Sequence, residues 1–304
     1  MLRALLLEFA KSTRLRRWIT SNGTTRRWAQ RFVPGEDLAA ALQAARRSNQ
    51  AGMSVSLDLL GENVLTREDA ARARDAYTNA LNQIAAENLD GNVSLKLTHL
   101  GLDLGDECCA EQLRVVTERA TALGNFVRVD MEGSAYTDRT LRIVKQARAE
   151  TAAVGTVIQA FLYRSEKDIE DLLTIRCRIR LVKGAYQEPP EIAFPRKRDV
   201  DANYIKLMQL LLPSGIYHAI ATHDPKMIDA TTEFARQRGI SKDKFEFQML
   251  YGIRTDLQSR LVRDGYRVRV YIPFGQDWFP YFMRRLAERP ANLLFFAQNL
   301  LRGR

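Results

Sequence analysis

The chain is 304 residues long, enough for one large domain or two of ordinary size. Its 46% apolar and 27% charged residues are typical of a folded globular protein, and no run approaches the ~18 apolar residues that a membrane-spanning helix requires. The net charge is +10, and the three cysteines, Cys108, Cys109 and Cys177, match no zinc or redox spacing, which predicts unpaired thiols in a reducing cytoplasm.

The positive charge is concentrated at the N-terminus. Residues 1–35 hold eight basic residues and one acidic residue, a net +7, so only +3 of the +10 falls to the remainder. A nucleic-acid-binding protein would carry basic and aromatic residues over a defined surface, so we predict no nucleic-acid partner. A basic segment containing MLRALLLEFA fits peripheral contact with an anionic membrane better. A mitochondrial presequence and a helical extension that packs on the body are the alternatives.

After residue 50, short β-rich runs alternate with helical patterns. We predict strands at 53–60, 93–98, 126–131, 155–161, 178–183, 216–222, 245–250 and 267–272. Helices are predicted at 67–87, 107–122, 136–149, 165–174, 201–212, 224–238 and 254–264, with a last helix from Asp277. Thr66 and Asp69 form a capping-box pattern before the first of these helices.

Eight strands alternating with helices predict parallel βαβ units, and eight is the number that closes a (β/α)8 barrel. No strand is followed by G-x-G-x-x-G, which argues against an open dinucleotide-binding sheet. We therefore predict an N-terminal helical arm over residues 1–50. The barrel catalytic domain is predicted over residues 51–304, ending in a helix that carries an arginine pair.

Several predicted strands alternate apolar with polar residues, which is unusual for parallel strands buried on both faces. Inward charges of opposite sign could neutralise each other as a polar core. A set of polar residues nevertheless falls near successive strand ends, at the rim where such barrels place their chemistry. This set is Glu62, Lys96, Asp130, Gln159, Lys183, Thr222, His223, Gln248 and Tyr271.

The last helix carries Tyr281, Arg284, Arg285 and Glu288 at helical spacing, which places them on one face. Two adjacent guanidinium groups can bind a carboxylate or phosphate with forked hydrogen bonds. The alternative is a surface stripe with an Arg284–Glu288 helix pair.

The segment RLVKGAY, residues 180–186, ends a predicted strand with a lysine and a glycine. Gly184 would allow close approach of the backbone to a ligand, and Lys183 could bind a phosphate or form a Schiff base. The three histidines have no metal-ligand spacing, so we predict no metal site. The residues alone thus predict a barrel enzyme for a small anionic substrate, with a phosphate-bearing cofactor as an option.

The sequence resembles the FAD-dependent proline dehydrogenases at motifs that run in the family's order over nearly the whole chain. The Y-x-x-R-R-L-x-E pattern after the last strand is the most specific of them, and the length resembles that of the monofunctional bacterial enzymes. The matching segments are RFVPGE (31–36), VSLKLTHLG (93–101), VRVDME (127–132), VIQAFLYR (157–164), RLVKGAY (180–186), ATHD (221–224), FEFQMLYG (245–252), YIPFG (271–275) and YFMRRLAERPAN (281–292).

The resemblance implies a distorted (β/α)8 barrel of the TIM type with FAD at the strand C-termini. It also implies oxidation of L-proline to Δ1-pyrroline-5-carboxylate, with hydride passing to flavin N5 and electrons then to a membrane quinone. A cytoplasmic protein is implied, with peripheral contact at the inner face of the inner membrane as an option. Hydroxyproline dehydrogenation and a Schiff-base lyase using Lys183 or Lys96 are the alternatives.

The resemblance also implies roles for individual residues. Lys96, Arg284 and Arg285 would bind the substrate carboxylate, Leu250 would line the pocket, and Glu62 would pair with Arg285 as a gate. Tyr271 and Tyr281 would pack over the proline ring, with Tyr271 linked to preference for proline over hydroxyproline. Asp130, Arg180 and Tyr271 would be catalytic, with Arg180 close to the flavin. The residues implied to hold FAD are Met131, Gln159, Val182, Lys183, Gly184, Thr222 and His223.

Overall fold

Eight parallel strands close into a barrel in chain order, and the eighth pairs with the first. The computed structural model of the protein describes residues 30–61 and 64–287, the last four by backbone alone. The strands are β1 (Ser54–Leu59), β2 (Gly91–Leu95), β3 (Val127–Val129), β4 (Val154–Gln159), β5 (Arg178–Val182), β6 (His218–Ala221), β7 (Phe245–Leu250) and β8 (Arg267–Phe274). The predicted (β/α)8 barrel is confirmed.

Helices follow the strands around the outside of the barrel. Within the described residues they are α1 (Leu38–Gln50), α2 (Arg67–Ala86), α3 (Asp106–Ala122), α4 (Ser134–Glu150), α5 (Ser165–Thr174), α6 (Lys197–Leu211), α7 (Pro225–Gln237), α8 (Thr255–Arg263) and α9 (Trp278–Ala287). Helix α6 begins four residues before its predicted start. Its first three residues are charged and give no apolar signal, but Lys197 forms an i,i+4 ion pair with Asp201.

The predicted capping box of α2 is present. The side chain of Thr66 accepts a hydrogen bond from the backbone N–H of Asp69 at 3.1 Å, and the Asp69 carboxylate accepts one from the backbone N–H of Thr66 at 3.1 Å. The two bonds satisfy backbone donors that have no partner within the first turn, so the helix begins at Arg67.

The strands have an apolar outer face and a polar inner one. Arg180 of β5 bonds to Ser94 of β2, and because these strands are not neighbours the contact crosses the barrel interior. Residues of opposite parity, such as Val93 and Leu95 of β2, are fully buried in the apolar core that also contains residues of the surrounding helices. The main core therefore lies between the strands and the helices.

Helix α1 closes one side of the barrel. Asp37 caps its N-terminus by accepting from the backbone N–H of Ala40 at 2.8 Å. Ala41, Leu42 and Ala45 are buried in the same core as β1 and β8. The proposed boundary at residue 50 stays a prediction, and residues 1–29 of the predicted arm lie outside the described residues.

The segment 31–36 holds the last helix against the barrel. The indole N–H of Trp278 donates to the Glu36 carboxylate at 2.9 Å, and the rings of Phe32 and Phe282 are 6.2 Å apart. Phe32, Trp278 and Phe282 belong to a second apolar cluster that includes Tyr281. None of the helices in the described ranges is long and apolar enough to cross a membrane.

Gly252, which follows β7, should be required for the contact between the strand ends and the segment 31–36. Its φ is +70°, and a Cβ there would lie 1.7 Å from the carbonyl oxygen of Arg31. Gly252→Ala should lower the free energy of unfolding, measured in urea, by the left-handed penalty of about 1–2 kcal/mol. The cost of displacing the Arg31 backbone should add to this loss.

Gly239→Ala is the matched control, because Gly239 has a φ of +64° and a Cβ added there would have no neighbour within 4 Å. It should incur only the left-handed penalty. Equal losses in the two variants would contradict the importance of the Arg31 contact.

Candidate active site

A buried guanidinium group inside the barrel connects three strands and the residue that follows β3. Arg180 donates from Nη1 to Asp130 Oδ1 at 2.6 Å and from Nη2 to Ser94 Oγ at 2.8 Å. Its Nε donates to the side-chain oxygen of Gln248. The side chain of Arg180 is only 6% exposed, so a buried cation is matched by one carboxylate and two neutral acceptors.

Tyr271 completes this arrangement from β8. Its hydroxyl donates to Asp130 Oδ2 at 2.8 Å, and the Arg180 guanidinium lies 5.2 Å from the centre of its ring. Burial, followed by the negative charges of Asp130 and Asp58, raises the pKa of Tyr271 well above its usual value. The phenol therefore stays protonated at neutral pH and acts as a donor to the carboxylate.

Lys96 and Asp58 form a second buried pair of opposite charge. The Lys96 Nζ is 3.7 Å from Asp58 Oδ2, and the two side chains are 11% and 1% exposed. Lys96 directly follows β2, at the C-terminal end of the strands. The structure thus places the Lys96 cation at the same end of the barrel as Asp130 and Tyr271.

Arg128 of β3 and Arg180 of β5 both occupy alternating polar positions of their strands, but their contacts differ. Arg128 Nη1 donates to the carbonyl oxygens of Thr156 at 3.0 Å and Arg178 at 2.6 Å, and its guanidinium lies 4.8 Å from the ring of Phe126. Burial, and then the positive charge of Arg180, lowers the pKa of Arg128 to about 9. Bonds to strand carbonyls give Arg128 a role in holding the barrel wall.

The predicted cofactor residues surround the ends of β3 to β6. Gln159 donates to the carbonyl oxygen of Glu132 at 2.9 Å, next to the buried Met131. His223 accepts from the backbone N–H of Leu250 through Nε2 at 2.9 Å, which leaves Nδ1 as the protonated nitrogen of the neutral ring. The hydroxyl of Thr222 accepts from the backbone N–H of Asp224 at 3.1 Å.

Lys183 and Gly184 follow β5, beyond Val182 at its end. Lys183 Nζ contacts Asp201 at 2.5 Å and Asp224 at 2.7 Å. Both carboxylates hold the amine in ion pairs, whereas a Schiff base requires an amine that can attack a carbonyl carbon. The structure thus offers no support for the lyase alternative at Lys183.

Gly184 brings the backbone of this loop tightly against Phe161. Its φ is +112°, and a Cβ there would lie 2.3 Å from the Phe161 ring. A side chain would project into the space beside the ends of β4 and β5. The close backbone, together with a cationic lysine, an amide and an imidazole, fits a ligand that carries phosphates and a polar ring system.

Four predicted residues of the site lie wholly or partly outside the described residues. Glu62 and Glu288 lie outside the described residues, and so do the side chains of Arg284 and Arg285, although α9 is helical through Ala287. Tyr281 is 7% exposed in the apolar cluster at the start of α9, and Leu250 packs against that cluster. Tyr281 and Leu250 are thereby brought together at the barrel mouth.

The sequence-based site omits Asp58 and Ser94, which the structure places in it, and lists Gln248 only as a polar residue at the rim, without a role. Ser94 and Gln248 belong to the alternating polar positions, and extending the same alternation through Ser54 and Ser56 reaches Asp58. The alternating polar pattern of the sequence therefore already included these three positions. Alternation does not reveal which inward residues meet across the barrel.

The described ranges contain no group of three or more His, Cys, Asp or Glu side chains placed to bind a metal. The three cysteines are buried thiols. Burial is the main reason that the pKa of Cys109 lies above its usual value, so its thiolate is disfavoured.

The family model described as "Proline dehydrogenase" matches residues 41–298. The chain is 45% identical to proline dehydrogenase 2 of Bacillus subtilis strain 168 over 279 residues, 90% of this chain and 92% of that protein. It is 42% identical to proline dehydrogenase of Deinococcus radiodurans over 280 residues, 90% of each chain.

Solved structures give the same relationship. The crystal structure of proline utilization A (PutA) from Bdellovibrio bacteriovorus, inactivated by N-propargylglycine, superimposes with a TM-score of 0.82 at 28% identity. The match covers 87% of this chain and 33% of that one, so the chain spans about a third of the solved protein.

Proposed function

This chain belongs to the proline dehydrogenase family and oxidises L-proline, and we propose that it does so with FAD bound at the C-terminal ends of the barrel strands. The observation that carries the proposal is the buried Arg180–Asp130–Tyr271 arrangement beside Lys96 at that end. The product is Δ1-pyrroline-5-carboxylate. When bound, the flavin supplies the two-electron acceptor for the hydride removed from the ring.

Cationic groups hold the substrate carboxylate in the proposed complex. Lys96 lies at the mouth of the barrel, and Arg284 and Arg285 follow Tyr281 in the sequence of α9. Several cations around one carboxylate fix both the position and the orientation of a small ring. Catalysis here depends on placing one ring carbon and the acceptor at attack distance.

Arg180, Asp130 and Tyr271 provide the polar wall of the site. The carboxylate of Asp130 fixes the Arg180 guanidinium on one side and accepts the Tyr271 hydroxyl on the other. Hydrogen bonds within the described residues use three of the five N–H donors of Arg180. We propose that the remaining positive edge faces the flavin and stabilises negative charge on it.

The FAD contacts are proposed for Met131, Gln159, Val182, Lys183, Gly184, Thr222 and His223. They are supported by a common location at or just after the C-terminal ends of β3 to β6 and by the close backbone at Gly184. Apolar residues of α9, including Tyr281, cover the mouth with Leu250 and would exclude water from the reacting atoms. Glu62 is proposed to pair with Arg285 when the site closes.

We further propose a cytoplasmic protein that passes electrons to a membrane quinone, with residues 1–35 contacting the anionic surface. The support is the net charge of +7 on this segment. Hydroxyproline is the alternative substrate, and the family relationship does not favour it.

The purified protein should be yellow, and L-proline should bleach its flavin absorption without added cofactors. L-Proline and hydroxyproline are compared at equal concentration by anaerobic spectrophotometry. A colourless protein that acts on L-proline would refute the flavin proposal, and stronger bleaching by hydroxyproline would reverse the substrate assignment.

Arg285→Ala should raise KM for L-proline by about 10-fold or more, because it removes one charge-assisted bond to the carboxylate. The matched control is Arg260→Ala on α8, where the guanidinium lies 3.9 Å from Asp229 on the surface. Steady-state kinetics should show an unchanged KM for the control. An unchanged KM for Arg285→Ala would remove it from the carboxylate site.

Deletion of residues 1–30 should weaken sedimentation with vesicles of anionic phospholipid while activity with a soluble dye acceptor is kept. Binding by the full chain should decrease as salt rises, since the attraction is electrostatic. Neutral phosphatidylcholine vesicles are the control. Equal binding of both proteins to anionic vesicles would rule out the segment as the contact.

A further inference from the structure

We propose that Glu246 and Gln248 of β7 are positioning residues that fix the guanidinium of Arg180 and, through it, Asp130 and Tyr271. The inference rests on the proposed role of Arg180 in the oxidation of L-proline. Both β7 residues lie below the rim inside the barrel, 3% and 5% exposed. Gln248, predicted at the rim, lies two residues before the end of β7, and its side chain bonds to Arg180 and Glu246, so we expect both residues to act on the reaction through Arg180.

The orientation of the Gln248 amide is the first step. Its Nε2 donates to Glu246, and its oxygen accepts from Arg180 Nε. A carboxylate only accepts and a guanidinium only donates, so a single amide orientation satisfies both neighbours. A reversed amide would place an NH2 group against the Arg180 N–H and leave two buried groups without partners.

Glu246 must stay ionised for this selection to work. Arg269 Nε donates to Glu246 Oε1 at 2.8 Å, and the Tyr217 hydroxyl donates to Oε2 at 3.0 Å. Burial opposes ionisation, but the Arg269 charge and the hydrogen bonds outweigh it and lower the pKa of Glu246. Glu246 is therefore a permanent acceptor beside Gln248 at neutral pH.

The result is a continuous chain from the interior of the barrel to its mouth. Glu246 orients Gln248, Gln248 fixes Arg180 Nε, and Arg180 fixes Asp130, which accepts from Tyr271. A long arginine side chain with only its two terminal nitrogens bonded could still tilt. A third bond at Nε sets the plane of the guanidinium before any ligand arrives.

Glu246 could instead serve only as the counter-ion of Arg269, and variants separate the two roles. Glu246→Gln loses both the charge and the selection of the amide orientation. Glu246→Gln/Arg269→Gln restores the charge balance but not the selection. Arg269→Lys keeps a positive charge beside Glu246, and with it the ionised acceptor beside Gln248, but loses the bonds of the Arg269 guanidinium to Val55 and Asn92.

The variants are purified as flavoproteins, and three properties are compared. These are the thermal unfolding temperature, kcat and KM for L-proline with a dye acceptor, and the midpoint potential of the bound flavin. The double variant should unfold near the wild-type temperature with KM within about threefold, but with kcat reduced about tenfold or more. A tenfold weaker two-electron reduction appears as a shift of about 30 mV to more negative potential. Arg269→Lys should lose stability and keep kcat within about threefold.

Gln248→Met serves where the Glu246 variants do not fold, because it is close in volume and removes the acceptor for Arg180. It should lower kcat and the flavin potential with little change in KM. Wild-type kcat and potential in the double variant, or in Gln248→Met, would overturn the inference alone. If L-proline does not bleach the flavin of the wild-type protein, the proposed function is overturned, and this inference with it.

Discussion

The burial of the Arg180 guanidinium is the constraint on which the site depends. A cation removed from water is tolerated only if its N–H groups find acceptors and its charge a partner. Asp130 supplies the partner, and Ser94 and Gln248 supply acceptors from two other strands. A change in the position of any of these strands would leave a buried charge poorly solvated, so the arrangement also holds the strands in register.

The same constraint explains why the barrel has a polar interior. Parallel strands covered on both sides are normally apolar throughout, and their inward side chains pack as layers of branched residues. Here Glu246 and Arg269 form an ion pair inside the barrel, while Arg128 bonds to strand carbonyls. Apolar packing is transferred to the space between strands and helices, where Val93 and Leu95 are fully buried. The interior is then available to support charged groups at the mouth.

The barrel mouth combines a neutral hydrogen-bond donor, the Tyr271 phenol, with a buried ion pair, Lys96–Asp58. Tyr271 donates a hydrogen bond without carrying charge, and Lys96 offers a positive charge to an anion. Helix α9 brings Tyr281 to the same mouth because Trp278 and Phe282 anchor its first turns to the segment 31–36. The candidate site in this fold thus depends on segments that are far apart in the sequence.

The sequence by itself determined the succession of strands and helices, since period-two and helical patterns depend only on neighbours along the chain. It also predicted Asp130, Arg180 and Tyr271 as candidate site residues, through the motifs that carry the family resemblance. Only the tertiary structure decided that Arg128 bonds to strand carbonyls while Arg180 bonds to the Asp130 carboxylate, because both arginines occupy the same kind of strand position. Partners across a barrel are set by closure of the sheet and by strand stagger, which bring together residues far apart in sequence. For that reason Gln248 and Asp58 could be read as polar strand residues, but not as neighbours of Arg180 and Lys96.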